Sequence, residues 1–358
     1  MLLTQLDTPA LVADQTILEE NMQKMSEILA GKKLKLRPHY KSNKCAAIAH
    51  RQIAMGAVGI TCAKLSEAED LADSGIENIL IANQIVDEDK LVRVALLAKK
   101  CHLTICVDDM DNAGKLNAAC EANGSSLDVL IEYDIGMNRC GVTDPLFYIR
   151  LARHVIELPR LKYKGIQAYA GHVSHMLTAE ERRKYTEENA QRLRDLIEKL
   201  EGNGIRVETV SGGSTGTAIL KAEDGLYTEL QAGSYFFMDA TYNKLDIPFR
   251  NSLFVLGTVV SKRPGLIILD VGVKSIGVDQ DDPEVFRLDG TRIMTSRTGV
   301  NEEHMKLFDP SEDLALGEKV RIIPGHCCST VNLHEKIYLY RGDAVTDRLQ
   351  ITARGKSV

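Results

Sequence analysis

The chain has 358 residues, 44% hydrophobic and 26% charged, which is ordinary for a globular protein and enough for one large domain and a smaller one. A net charge of −6 argues against a nucleic-acid-binding surface, which carries a basic bias. No apolar run reaches the roughly 18 residues of a membrane span, and Met1–Asp7 lacks the basic and long apolar regions of a secretion signal.

In chain order, Thr8–Ala13 reads as a strand and Thr16–Leu29 as a helix. Strand-like and helix-like stretches then alternate. The strands are Leu34–Arg37, Val58–Cys62, Ile79–Ala82, Leu103–Val107, Leu127–Tyr133, Lys164–Tyr169, Val207–Ser211 and Thr228–Gln231. Between them lie helices at Asn43–Met55, Leu65–Asp73, Asp87–Lys99, Asp111–Asn123, Pro145–Glu157, Thr178–Gly202 and Thr215–Ala222. Ser66, Asp111 and Thr178 stand as N-terminal caps, and Gly31, Gly75, Gly124 and Gly202 mark helix ends. Eight alternations predict a parallel sheet with crossover helices over residues 16–240, and the count favours a closed (β/α)8 barrel over an open sheet. No GxGxxG follows the first strand, so the main marker of dinucleotide binding is missing.

Beyond about residue 250 the texture changes. Phe254–Ser261, Gly265–Val271, Lys319–Pro324 and Lys336–Arg341 read as strands between Gly, Pro and Asp turns. They predict a second, mainly β domain built from residues 241–358 together with 1–15. Eight cysteines are scattered without a CxxC pair, so reduced thiols in the cytoplasm are expected and a closed four-cysteine zinc module is not.

Five features carry candidate chemistry. In Leu34–Lys44, alternation puts Arg37, His39 and Lys41 on one side, which suits either an anionic cofactor or substrate site, or a solvated basic edge. In Val210–Thr217, Ser211, Gly212, Gly213, Ser214 and Thr215 open a helix after a late strand; glycine amides and hydroxyls there suit a single phosphate, or form a flexible turn. The lysine of a nucleotide P-loop is absent. His326 and Cys328, on one face if the preceding strand continues, suit zinc with open positions, or are a turn histidine beside a buried cysteine. Arg139, just past a strand end, suits an oxyanion or a surface ion pair. Tyr169 suits a planar cofactor or the top of a core. His172, His175 and His334 are further polar neighbours without an assigned role.

Taken in order, these residues resemble the fold-type III pyridoxal-phosphate enzymes, the D-serine dehydratase and D-threonine aldolase group related to alanine racemase. The resemblance spans nearly the whole chain: Asp7–Ala13, Arg37–Lys41, Gly136–Arg139, Ser211–Gly213, Gly233–Tyr235 and Pro324–Asn332. It implies that Lys41 forms the Schiff base with pyridoxal phosphate, that Arg139 contacts the ring hydroxyl and Tyr169 the ring, and that Ser211–Thr215 hold the phosphate. Gln231 aligns with the arginine that faces the pyridine nitrogen in alanine racemases. His326 and Cys328 match the metal pair. The group usually reads Thr-His-Lys after the lysine, whereas this chain has Ser42-Asn43-Lys44. His-x-Cys looks like the dehydratase members, since the aldolases more often show His-x-Asp.

The expected activity is therefore a zinc-assisted ammonia-lyase, turning a D-3-hydroxyamino acid such as D-serine, D-threonine or D-3-hydroxyaspartate into a 2-oxo acid and ammonia. Lys41 would be the base, and the metal would assist departure of the 3-hydroxyl. The alternative is retro-aldol cleavage to glycine and an aldehyde. A racemase or a non-catalytic cofactor carrier is less favoured. The resemblance also implies a homodimer.

Overall fold

In the computed structural model, which describes residues 1–358, the chain divides into two units. One comprises Ser26–Lys41, Ile48–Gly233 and Lys356–Val358; the other comprises Met1–Met25, Ser42–Ala47 and Ser234–Gly355.

The opening elements are β1 (Ala10–Asp14) and α1 (Gln15–Leu29). The βα series follows: β2 (Lys35–Leu36), α2 (Ala46–Ala54), β3 (Ile60–Cys62), α3 (Leu65–Asp73), β4 (Asn78–Ile81) and α4 (Glu88–Leu97). It continues with β5 (His102–Val107), α5 (Met110–Asn123), β6 (Leu127–Glu132), α6 (Pro145–Glu157) and β7 (Leu161–Ala168). Last come α7 (Ala179–Gly202), β8 (Thr209–Gly212), α8 (Ala218–Asp224) and β9 (Glu229–Leu230). Strands β2 to β9 form one parallel sheet in the order β2-β9-β8-β7-β6-β5-β4-β3. Its two ends meet: Val58 donates to the Leu36 carbonyl and Thr61 to that of Pro38, each at 2.9 Å, and His39 bridges Thr61 in parallel. The predicted barrel is thus present.

Residues two apart along a strand share a face, and this sorts the barrel interior into layers. Leu80, Cys106 and Leu130 form an apolar layer, with Ala82 packed against it. Toward the strands' N-terminal ends lie Arg37, Thr104, Asp128, Thr209 and Glu229, where Arg37 and Glu229 pair at 2.7 Å. Toward the C-terminal ends stand His39, Gln167 and Gln231.

Helix starts differ in detail from expectation. Thr178 caps α7 by accepting from the Glu181 amide at 3.2 Å, as predicted. The cap of α5 is Asp109 rather than Asp111; its carboxylate takes the Asn112 amide at 2.8 Å. Ser66 does not cap α3, because Glu67 reaches back to the Ala63 and Lys64 amides and starts the helix earlier. The expected helix from Asn43 begins only at Ala46. A 3-10 turn spans Tyr40–Ser42, and Lys44 sits at φ +47°.

The second unit holds β10 (Leu253–Arg263), β11 (Leu266–Leu269), β12 (Glu284–Arg287), β13 (Arg292–Ile293), β14 (Arg297–Val300) and β15 (Met305–Phe308). After β16 (Lys319–Ile323) come the short helix α9 (Cys327–Val331), β17 (Lys336–Arg341) and β18 (Ala344–Gln350). The main path is β13-β12-β16-β10-β1-β17-β18, with β11, β15 and β14 branching from β10. Strand β1 runs antiparallel to β10 and parallel to β17, so the early strand joins the β unit. Strands β12 to β15 and β18 were not legible in the sequence, because β12 to β15 span only two to four residues each and β18 is mostly exposed. The strand continuation expected through His326 and Cys328 is absent. Strand β16 stops before Pro324, and Gly325 passes so close to the Asp281 carbonyl that a Cβ would lie 1.7 Å from it. His326 then caps α9. No helix is long and apolar enough to cross a membrane.

Candidate active site

At the C-terminal end of the barrel strands is a cavity of about 210 Å³ whose lining includes His39, Lys41, Arg139, Gln167, Tyr169 and Gln231. Five of the residues singled out in the sequence, His39, Lys41, Arg139, Tyr169 and Gln231, therefore share one space. Lys41 Nζ lies 5.7 Å from the centre of the Tyr169 ring and the Arg139 guanidinium carbon 5.4 Å from it. Gly171 permits this ring position, since a Cβ there would meet Tyr169 at 2.8 Å. His39 accepts the Lys41 backbone N–H on Nδ1 at 3.3 Å. Burial, and then the Lys41 and Arg139 charges, hold its pKa well below the usual histidine value. His39 is accordingly a neutral imidazole protonated on Nε2.

Arg139 is carried by a loop that leaves β6 and returns beside it. Val142 donates to the Glu132 carbonyl at 2.8 Å and Asp134 to the Val142 carbonyl at 3.0 Å. Inside the excursion, Asp134 Oδ1 accepts from the Gly136 and Met137 amides, each at 2.8 Å. Arg139 extends from this loop with 46% of its side chain exposed and its guanidinium 3.7 Å from Glu132 Oε1.

The Gly-Ser loop lies behind the cavity wall. Gln231 Nε2 donates to Gln167 Oε1 at 2.7 Å and to Ser211 Oγ at 2.9 Å, so Ser211 is one hydrogen bond from the lining. Gly213 turns the chain at φ +74°, the Ser214 amide donates to the Thr217 hydroxyl at 3.1 Å, and the two hydroxyls are hydrogen-bonded at 3.0 Å. Ser211, Ser214 and Thr215 are all buried, and Thr215 Oγ1 has no partner. A buried hydroxyl without a partner is costly, and a phosphate oxygen would satisfy it. The donor set, with a primary amine, a guanidinium and a stacking ring, fits pyridoxal phosphate.

In the β unit, His326 and Cys328 stand together at the start of α9. The imidazole is hydrogen-bonded to Cys328, and its Nδ1 is 2.6 Å from Asp279 Oδ2. Asp279 is in turn fastened by the Ser329 hydroxyl at 2.5 Å. Burial opposes charge on His326, but Cys328 and Asp279 outweigh it and raise the pKa to about 9. A histidine oriented by a carboxylate beside a thiol is the arrangement of a metal ligand pair. No set of three or more acidic, histidine or cysteine side chains is placed so that all could hold one metal ion, and the His326–Cys328 pair by itself would leave positions open on an ion bound there.

His172 and His175 are exposed on a 3-10 turn. His334 Nε2 donates to the Ser275 carbonyl at 2.7 Å, which gives it a packing role. Sequence reasoning missed Asp279, Glu132, Gln84 and Gln167. Only Gln167 carried a usable signal, since it stands two residues before Tyr169 on a predicted strand.

The family model "Alanine racemase, N-terminal domain" matches residues 14–241, and a serine dehydratase domain model matches 252–340. A D-threonine aldolase of an Arthrobacter species is 40% identical over 99% of this chain and 94% of its own length. The solved D-threonine aldolase of Filomicrobium marinum is 37% identical, with a TM-score of 0.95 over 99% of this chain and 97% of its own. The D-threo-3-hydroxyaspartate dehydratase of Delftia sp. HT23 is 28% identical, with a TM-score of 0.89 over 98% of each chain. A D-threo-3-hydroxyaspartate dehydratase, 28% identical to this chain, has been solved as a histidine-to-alanine mutant, and as a cysteine-to-alanine mutant in the metal-free form. The two mutated positions are two residues apart, the order and spacing of His326 and Cys328 here.

Proposed function

We propose, from the premise that the chain belongs to the alanine racemase N-terminal-domain family of pyridoxal-phosphate enzymes, that it is a metal-assisted lyase of D-3-hydroxyamino acids with Lys41 as its catalytic amine. The observation that carries this reading is the shared cavity of Lys41, Arg139, Tyr169 and Gln231, joined through Gln231 to a phosphate-sized loop with a buried, unsatisfied hydroxyl. When bound, pyridoxal phosphate supplies an electron sink for a bond broken at the amino acid's α-carbon or next to it, and a divalent metal supplies Lewis acidity for the 3-hydroxyl.

The chain's own groups divide the remaining work. Lys41 would provide the amine that holds the cofactor and a base that could move protons on one face of the substrate. Arg139 binds the ring hydroxyl, Tyr169 supports the ring, and Ser211 to Thr215 bind the phosphate. Gln231 donates through Nε2 to Gln167 and Ser211, and its Oε1 accepts from Gln167 Nε2 at 3.5 Å, so the capacity it has left toward a ring nitrogen is the second lone pair of that oxygen, suited to an N–H. His39, neutral and held by the Lys41 amide, adds no competing positive charge beside the lysine. His326 and Cys328 hold the metal, for which an imidazole–thiolate pair favours zinc.

Two bonds of such a substrate can break. Whole-chain similarity to D-threonine aldolases at 40% and 37% identity supports Cα–Cβ cleavage to glycine and an aldehyde. The second reading, loss of the 3-hydroxyl to give a 2-oxo acid and ammonia, is supported by His326-x-Cys328. The test is product analysis with D-threonine, D-serine and D-3-hydroxyaspartate, with cofactor and zinc present and then with each omitted. One of the two product pairs is expected, and it should vanish in Lys41→Ala by about a thousandfold or more. If neither pair forms from any of the three, the proposal fails. Eight cysteines without a disulfide support a reducing, cytoplasmic setting. A homodimer is the state to test by sedimentation.

A further inference from the structure

We propose that Glu132 is the positioning residue of this cavity: its buried carboxylate fixes the Arg139 guanidinium over the Tyr169 ring and tempers the positive charge offered to the cofactor. The inference rests on the reading of Arg139 as the contact to the cofactor's ring hydroxyl.

Glu132 ends β6 two residues after Leu130, so its side chain enters the barrel interior, where it is only 5% exposed. A carboxylate there is costly unless it is held. Gln84 Nε2 donates to its Oε2 at 2.6 Å, and its Oε1 faces Arg139 at 3.7 Å. The loop bearing Arg139 is also built on this residue. Val142 donates to the Glu132 carbonyl at 2.8 Å, and Gly141, at φ +105°, comes so close that a Cβ would lie 3.0 Å from Glu132 Cγ. The Gly141 amide is anchored from the other side by Asp108 Oδ2 at 2.9 Å. Backbone and side chain of one glutamate thus determine where the guanidinium sits.

The pair is loose. At the opposite end of the barrel the buried Arg37 closes on the half-buried Glu229 at 2.7 Å and on Asn78 Oδ1 at 2.9 Å, so its guanidinium is taken up within the protein. Arg139 instead stands 3.7 Å from Glu132, is hydrogen-bonded to the Cys140 thiol and stays 46% exposed, which leaves donors for a second anionic partner. The charged and titratable groups facing Glu132 are Arg139, Asp108 and Asp134, with the Cys106 and Cys140 thiols beside it. Lys41, Arg139 and neutral His39 face the cavity itself. Burial pushes the Glu132 carboxyl up, while Gln84 and Arg139 draw it back toward the charged form.

An anion behind the guanidinium weakens its pull on negative charge in front, so removing that anion should ease proton loss from the bound cofactor. The experiment is a substrate-free titration of the cofactor absorption band in the holoenzyme, from about pH 6 to about pH 10. In Glu132→Gln, which keeps the shape and an acceptor for Gln84, the apparent pKa of the band should fall by about half a unit or more. Glu132→Asp, which keeps the charge, should stay within a few tenths of the wild type. In an Arg139→Met background, Glu132→Gln should add no further shift, because the two residues act as one unit. A Glu132→Gln holoenzyme that titrates like the wild type, or a shift that persists without Arg139, overturns the proposal. Should that variant not accumulate as folded protein, Gln84→Leu is the substitute, and an unmoved titration there overturns it equally. If folded wild-type protein forms no band with Lys41, the proposed function itself fails, a distinguishable result, and the role of Glu132 falls with it.

Discussion

Lys41 is an ordinary lysine made specific by its surroundings: an aromatic ring on one side, a second cation beyond it, and a neutral imidazole bonded to its own backbone amide. The same dependence on neighbours holds for Thr215, whose buried hydroxyl lacks a partner in the protein. Thr215→Val is expected to leave the fold intact and to weaken pyridoxal-phosphate binding about tenfold, the worth of one good hydrogen bond to an anion. Fluorescence titration of the apoprotein would measure it, and unchanged affinity would remove Thr215 from the phosphate site. His326 and Cys328 are expected to act as a pair. A chelator should abolish turnover, zinc should restore it, and His326→Ala or Cys328→Ser should lower bound metal and activity about a hundredfold or more. Metal analysis of each variant would check the assignment, and full metal content in both would refute it.

At the level of elements, the barrel depends on a few places where backbones approach too closely for a side chain. Gly165, in β7, lies at φ +145°, and a Cβ there would sit 2.0 Å from the Thr209 carbonyl of β8. The register between β6 and β7 shifts at this level, so the strand carries a bulge that glycine alone accommodates. Gly165→Ala is expected to destabilise the protein by about 2 kcal/mol or more. It should also impair the cavity, because Gln167 follows on the same strand and Tyr169 directly after its end. A denaturation midpoint equal to the wild type would contradict this.

For the whole molecule, buried histidines tie stability to pH. His39 in the barrel and His334 in the β unit both have pKa values lowered from 6.5, chiefly by burial. Each binds fewer protons folded than unfolded, so its contribution is complete above pH 6.5 and is lost as the pH falls below it. The expected acid limb has a slope of up to about 1.4 kcal/mol per pH unit for each group. His39→Gln should flatten it. Urea midpoints at about pH 5.5 and about pH 7.5, for wild type and variant, would show the difference.

Local patterning determined the barrel. Alternating runs of β-branched and helical residues, ended by glycines, announced eight βα units, and the motifs around Lys41, Arg139, Ser211 and His326 announced the chemistry. These were legible because period and spacing are properties of contiguous residues. The short, charged strands β12 to β15 were not, since their pairing in the β unit overrides weak local preference. Nor could the chain alone reveal that Gln84 would meet Glu132 from 48 positions away, or that Asp279 would orient His326 across 47. Whether His326 and Cys328 would sit on a strand or at a helix start was likewise decided by the backbone crowding at Gly325. Residue types state what chemistry is available. Only the fold decides which groups share a low-dielectric space at hydrogen-bonding distance, because that juxtaposition is made by contacts remote in sequence.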